Sequence, residues 1–132
     1  MTSLFILAGL FSCHFLCDFT SLSTPEMLQA KAKGTPLWPI FVHALTHAVY
    51  MTIFLLYMAI FGFIAKENLN VIIILLFIQL VSHFIIDTWK GKMNVWFPKL
   101  SDPTNVAHWT LFGFDQLLHT LVIIFMYSLL KP

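Results

Sequence analysis

The chain has 132 residues, of which 59% are hydrophobic, 16% aromatic and only 10% charged, and its mean hydropathy is +0.86. A soluble domain of this size carries roughly twice that share of charge. With a formal net charge of +1 and scattered lysines in place of a basic stripe, the sequence excludes a nucleic-acid-binding class. It predicts an all-α, polytopic membrane protein folded as a single domain over residues 1–132.

Four stretches come near the ~20 apolar residues that a membrane crossing takes. The first, residues 3–19, lacks a basic leader and carries His14 and Asp18 where a cleavage site would fall, so it reads as a retained helix rather than a signal peptide. In the segment that follows, Thr24-Pro25-Glu26 is a helix start and Gly34 a helix stop, which predicts a short interfacial helix. The second stretch, 39–65, is joined to the third, 69–89, by Lys66, Glu67 and Asn68, a connector that suits only an antiparallel turn. A second long loop, 90–108, leads to the fourth stretch, 109–130. The expected architecture is a four-transmembrane-helix up-down bundle.

Lys31, Lys33, Lys90, Lys92 and Lys99 fall in the two long loops, whereas only Lys66 and Lys131 fall on the opposite side. The positive-inside rule therefore predicts cytoplasmic loops and both termini outside. Trp89, Trp96, Phe97 and Trp109 fit an aromatic belt at the same interface.

Eight residues stand out against this apolar background. His14 and Asp18, His43 and His47, His83 and Asp87, and Asp115 and His119 form four pairs, each with members four residues apart and each in a different stretch. That spacing stacks both side chains on one helix face. Random placement of the six His and four Asp of this chain would give about 0.7 such pairs. In an up-down bundle all four pairs lie at the same end, so the eight side chains can converge in one leaflet. A bare Asp at mid-membrane costs about 2.5–3.5 kcal/mol, and a cation offsets that cost. Eight nitrogen and oxygen donors exceed one tetrahedral site and suit two divalent ions with a bridging Asp; imidazole-rich sets favour zinc or manganese, with iron as a further option. A lone intramembrane histidine is as often a packing residue as a ligand, so the weight rests on the set, within which single members can instead orient ligands or touch substrate.

Other residues extend these stripes. Gln79 and Lys90 continue the face of His83 and Asp87, and Tyr50 that of His43 and His47. Gln79 and Tyr50 are candidate hydrogen-bond partners of the ligands, and Lys90 a candidate anion-binding residue at the mouth; the alternatives are an interhelical hydrogen bond and a snorkelling lysine. His108, just before the fourth helix, is a candidate acid/base or an ordinary interfacial histidine. Cys13 and Cys17 point about 100° from the ligand face and read as small packing residues.

The order His-x3-Asp, His-x3-His, His-x3-Asp-x2-Lys and Asp-Gln-x2-His, carried here by His14, Asp18, His43, His47, His83, Asp87, Lys90, Asp115, Gln116 and His119, resembles a family of small bacterial and phage membrane proteins catalogued as domain of unknown function 3307. Where the family pattern continues Asp-Phe-x-x-Gln, this chain follows Asp18-Phe19 with Thr20-Ser21-Leu22. The resemblance implies a bacterial inner membrane, here with the site near the cytoplasmic face. It brings no activity with it.

From the residues, the leading expectation is an intramembrane metal-dependent hydrolase, binuclear, acting on a lipid-linked or membrane-proximal phosphoester, pyrophosphate or ester, with Lys90 and His108 as its catalytic residues. Three alternatives stand beside it: a di-iron oxidase, a divalent-metal transporter and a structural or accessory metal-binding protein. The expected partners are the lipid bilayer and a lipid or phosphorylated substrate. Homo-oligomers are compatible with so small a unit, although no small-xxx-small face marks an interface.

Overall fold

The computed structural model describes residues 2–65 and 68–130. Lys66 and Glu67 of the predicted connector, and Lys131, lie outside the described residues. Five α-helices follow one another: α1 (Thr2–Phe19), α2 (Pro25–Lys33), α3 (Leu37–Ile60), α4 (Leu69–Trp96) and α5 (Val106–Ser128), with a 3-10 turn at Pro98–Leu100 between the last two. No strand occurs among the described residues. Helices α3, α4 and α5 are long and apolar enough to cross a membrane, and α1 is a shorter apolar helix over Leu4–Phe19.

The four long helices pack in a ring, α1 on α3, α3 on α4, α4 on α5 and α5 back on α1, while α2 lies against α3 and α4. Each inward stripe is apolar at one end and polar at the other. On α4 the buried positions are Ile72, Leu75, Gln79, His83, Asp87 and Gly91, and on α5 they are Leu111, Asp115, His119, Ile123 and Met126. Residues spaced by three and four present one face of a helix, so each stripe delivers its apolar part to a shared core and its polar part to a shared cluster. Ile6, Leu10, Met51, Leu55, Leu75 and Ile123 form the centre of that core. Outward, the long helices expose large apolar side chains such as Phe5, Phe15, Ile53, Phe77, Ile85 and Phe125. A surface of that kind suits lipid rather than water.

The helix limits differ from the hydropathy boundaries in instructive ways. Helix α4 runs seven residues beyond the apolar stretch that ends at Trp89, so Lys90 and Lys92 are helical rather than part of a loop. It stops at Trp96 because Phe97 precedes Pro98, and the proline ring disfavours the α conformation in the residue before it. Helix α5 begins at Val106, with the Asn105 side chain accepting a hydrogen bond from the Ala107 N–H, which places His108 in its first turn rather than ahead of it. Helix α3 starts two residues before Pro39, whose missing N–H costs nothing in a first turn, and ends at Ile60 rather than 65. Gly62, at φ 75°, then turns the chain and tucks Ile64 into the core.

The short helix α2 has the limits that its capping residues dictate. The Met27 N–H donates to the Thr24 hydroxyl at its start, and Gly34 ends it in the left-handed conformation at φ 65°. Gly34 rests directly on Gly91 of α4: a Cβ on Gly91 would collide with the Gly34 backbone, and one on Gly34 would lie 2.7 Å from the Thr88 carbonyl oxygen. Asn94 of α4 adds a hydrogen bond to the Ala32 carbonyl, 3.3 Å. Two glycines thus let α2 dock at backbone distance over the polar end of the ring.

The contact between α1 and α3 depends in the same way on Gly9, where the Phe54 ring fills the space that a Cβ would take. The variant Gly9→Val is expected to lower stability by about 1–3 kcal/mol through overpacking. Gly113→Ala, inside α5 at a position with open space around it, should be harmless or stabilising by up to about 1 kcal/mol. Thermal unfolding of both in detergent, followed by tryptophan fluorescence, checks the pair.

Candidate metal centre

All eight paired residues meet at the end of the ring beneath α2. Three sets of donors each gather within 4.8 Å: Asp18, His43, His47 and His83; His14, His83 and His119; and Asp87, Asp115 and His119. His43, His47, His83 and Asp87 are wholly buried, and the Asp18 carboxylate is only 4% exposed. The rings of His47 and His83 lie 3.8 Å apart between centroids, and those of His83 and His119 4.2 Å.

The spacing of the donor atoms bears on their chemistry. His14 Nε2 lies 3.4 Å from Asp18 Oδ2, His47 Nε2 3.4 Å from Asp18 Oδ1, His83 Nε2 3.3 Å from Asp87 Oδ2, and His119 Nε2 3.5 Å from both Asp87 Oδ1 and Asp115 Oδ1. A tetrahedral ion with bonds of about 2.0–2.1 Å separates its donors by about 3.3–3.4 Å. Both nitrogens of His14 and of His47, His83 Nε2, both oxygens of Asp87, Asp115 Oδ1 and His119 Nε2 are buried without a hydrogen-bond partner. Native interiors rarely tolerate orphaned polar atoms, so a concentration of them on one set of metal-ligating side chains fits the donor shell of a cation. The residues present therefore fit a divalent metal.

Surrounding groups fix how the ligands present themselves. The Ser23 hydroxyl donates to the Cys17 carbonyl at 2.7 Å, so it receives a hydrogen bond from His43 Nδ1 at 3.2 Å. That assigns the ring proton to Nδ1 and leaves a lone pair on Nε2. His43 Nε2 sits 3.0 Å from Asp18 Oδ1, an approach that a proton on Nε2 or a neighbouring cation makes favourable. On α5, Lys90 donates to Asp115 Oδ2 at 2.7 Å and the Gln116 amide to the same oxygen at 3.2 Å, turning Oδ1 inward towards His119. Gln79 touches His83 Nδ1 at 3.3 Å from the core side. Tyr50, the other candidate partner, is instead exposed on the surface of α3. Cys13 and Cys17 are free thiols outside the cluster.

Lys31 of α2 is the group that spacing alone did not find. Its ammonium donates to Asp18 Oδ1 at 2.7 Å, lies 2.8 Å from His43 Nε2 and pairs with Asp87 Oδ2 at 3.3 Å. Burial pulls its pKa down, but the Asp87 and Asp18 carboxylates outweigh burial and hold it above the usual lysine value. The clue in the sequence was Ala30 and Gly34, small residues one turn apart that mark the docking face of α2 beside Lys31.

A cavity of about 230 Å³ opens above Asp18, between α1, α2, α4 and α5. Lys31, Lys90, Asn94, His108 and Gln116 supply its polar wall, and Phe19, Leu28 and Phe112 its apolar one. Lys90, on α4, also lies 5.0 Å over the Phe112 ring. His108 Nδ1 donates to the Leu100 carbonyl at 2.8 Å, which leaves Nε2 as its exchangeable nitrogen. Both residues expected to be catalytic thus line a cavity that reaches Asp18, a donor of the cluster.

Residues 6–132 match the family described as "Protein of unknown function (DUF3307)". The chain belongs to this family. No curated protein and no solved structure matches it. The family description carries no activity.

Since Gln79 touches His83 Nδ1 and is not itself one of the eight paired residues, Gln79→Leu is expected to weaken divalent-metal affinity about 10- to 100-fold while leaving the helical content unchanged. Isothermal titration of metal-stripped protein, paired with circular dichroism, checks this.

Proposed function

We propose that the protein is an integral membrane hydrolase with a divalent-metal centre held by His14, Asp18, His43, His47, His83, Asp87, Asp115 and His119. The observation that carries this reading is the coincidence of orphaned buried donors with an amphipathic cavity above them, lined by two lysines and a histidine. In this reading all four long helices cross the bilayer. Helix α1, 18 residues and about 27 Å long, is the shortest crossing and α2 lies in the interface. The described lysines all belong to the end of the ring that holds the cluster, which supports a cytoplasmic site at an inner membrane.

A divalent ion, zinc or manganese by the donor chemistry, supplies Lewis acidity and lowers the pKa of a coordinated water towards neutrality. The chain's own groups do the rest. Lys90, held in place by Asp115 and Phe112, offers N–H groups to an anionic substrate oxygen in the cavity. His108, anchored through Nδ1, has Nε2 free to protonate a departing alkoxide or phosphate. Leu28, Phe19 and Phe112 accept an apolar tail, and the half-exposed Leu28 and Phe19 form a lipid-side lip. A phosphoester or pyrophosphate on a lipid fits all three features.

The apolar half of the ring argues against conduction. Ile6, Leu10, Met51, Leu55, Leu75 and Ile123 close it beyond the cluster, and transport needs a second, weaker set of sites along a path.

Elemental analysis of detergent-purified protein is expected to find zinc or manganese in the wild type and a loss of about tenfold or more in the double variant His83→Ala, Asp87→Ala. Phosphate release from vesicles carrying a lipid phosphate should be metal-dependent and should fall about 100-fold in Lys90→Ala. A folded wild-type protein that takes up no metal overturns the proposal.

A further inference from the structure

The donors are not all in the same condition. Of the nine cluster atoms without a hydrogen bond, six lie on the side away from Lys31 (both His14 nitrogens on α1, His83 Nε2 and Asp87 Oδ1 on α4, and Asp115 Oδ1 and His119 Nε2 on α5), two belong to His47, and the ninth, Asp87 Oδ2, is ion-paired with Lys31. Asp18 Oδ1 and His43 Nε2, by contrast, both lie in hydrogen-bonding range of the Lys31 ammonium, at 2.7 and 2.8 Å. Asp87 stands between the two groups: its Oδ2 faces Lys31 at 3.3 Å and its Oδ1 faces His119 at 3.5 Å. That is how a carboxylate bridging two neighbouring cation positions would be disposed.

We infer that the two cation positions are filled by different cations: a single metal ion on the side of His14, His83, Asp87, Asp115 and His119, and the Lys31 ammonium on the side of Asp18 and His43. This rests on the metal-centre reading above and replaces the expected ion pair with one ion and one built-in charge. An ammonium suits its position. It has three N–H groups, and three lone-pair-bearing atoms on three different helices surround it; its side chain is only 13% exposed. Ser23 fixes the His43 ring so that the nitrogen facing Lys31 is an acceptor, which suits an ammonium as well as a metal. The lysine is held there by more than its own ion pairs, because Gly34 and Gly91 let the α2 backbone rest on α4 a single turn away.

The arrangement also defines what faces the cavity. Asp18, Lys31 and Lys90 line it, whereas His83, Asp87 and His119 lie behind them. An anionic headgroup entering from the lipid-side lip meets two ammonium groups, and Lys31 takes the charge-neutralising place that a second metal would hold.

Two variants test this by different routes. Lys31→Met removes the ammonium and keeps the volume of the side chain. Gly91→Ala leaves every donor and Lys31 in the chain but drives α2 away from α4, because its Cβ would meet the Gly34 backbone. Metal-stripped, full-length protein in detergent is titrated with Mn2+, bound ions are counted by mass spectrometry, and paramagnetic resonance distinguishes an isolated ion from an exchange-coupled pair. The wild type is expected to hold about one ion per chain with the spectrum of an isolated ion, and both variants about two with the spectrum of a coupled pair, the second taken by Asp18, His43 and His47. A coupled pair in the wild type overturns the inference and leaves the metal centre intact, as does an isolated ion in the wild type and in every variant that folds. No bound ion in the wild type or either variant defeats the metal-centre reading itself.

Discussion

Everything at the polar end of this protein follows from the cost of placing carboxylates in an apolar ring. Asp87 and Asp115 are essentially without solvent contact, and Asp18 nearly so. An unpaired charge at such depth is worth several kcal/mol of destabilisation, and removing one partner from a buried pair costs about 3–5 kcal/mol. The chain answers with cations from two directions. Lys31 descends from α2 onto Asp18 and Asp87, and Lys90 reaches from α4 to Asp115. Two ammonium groups against three carboxylates leave a negative remainder, surrounded by imidazoles with unsatisfied nitrogens. That remainder and those nitrogens are groups that could hold a divalent metal.

The same constraint explains the division of each helix into an apolar and a polar half. Core packing among Ile6, Leu10, Met51, Leu55, Leu75 and Ile123 fixes the rotation of α1, α3, α4 and α5. Because the donors continue those stripes by steps of three and four, the rotation that buries the apolar half also aims the donors inward. The cluster therefore needs no separate structural device on the long helices. It needs one only at its open end, where α2 is docked through Gly34 and Gly91 and brings a charge that the ring itself lacks.

The cavity beside Asp18, where the proposed function would take place, has an apolar and a polar wall. Apolar walls from Phe19, Leu28 and Phe112 adjoin the lipid-facing surface, while Lys31, Lys90 and His108 supply charge and exchangeable protons. Amphiphiles with an anionic head partition to that depth of a membrane without help. Under the proposed function, a site at that depth would draw its substrate from the bilayer.

Much of this was legible in the sequence, because helix periodicity is local. The apolar stretches gave helices, three of them long and apolar enough to cross a membrane and one shorter, and the four-residue spacing named all eight residues that the fold brings together. Thr24 and Gly34 set the ends of α2 through capping, which depends on a few neighbouring residues. The limits of α4 and α5 differ from the hydropathy boundaries because hydropathy reports where apolar side chains end, whereas α4 ends ahead of Pro98 and α5 starts at its Asn105 cap. Lys31 and Ser23 were invisible for a different reason. Their roles arise from contacts across 12 to 20 residues of chain, with His43 in both cases, and no periodic pattern records such contacts. The sequence by itself determined which side chains share a face, since that follows from the helical repeat. Only the tertiary structure decided which charge answers which, since that depends on a short helix docking where two glycines let the backbones meet.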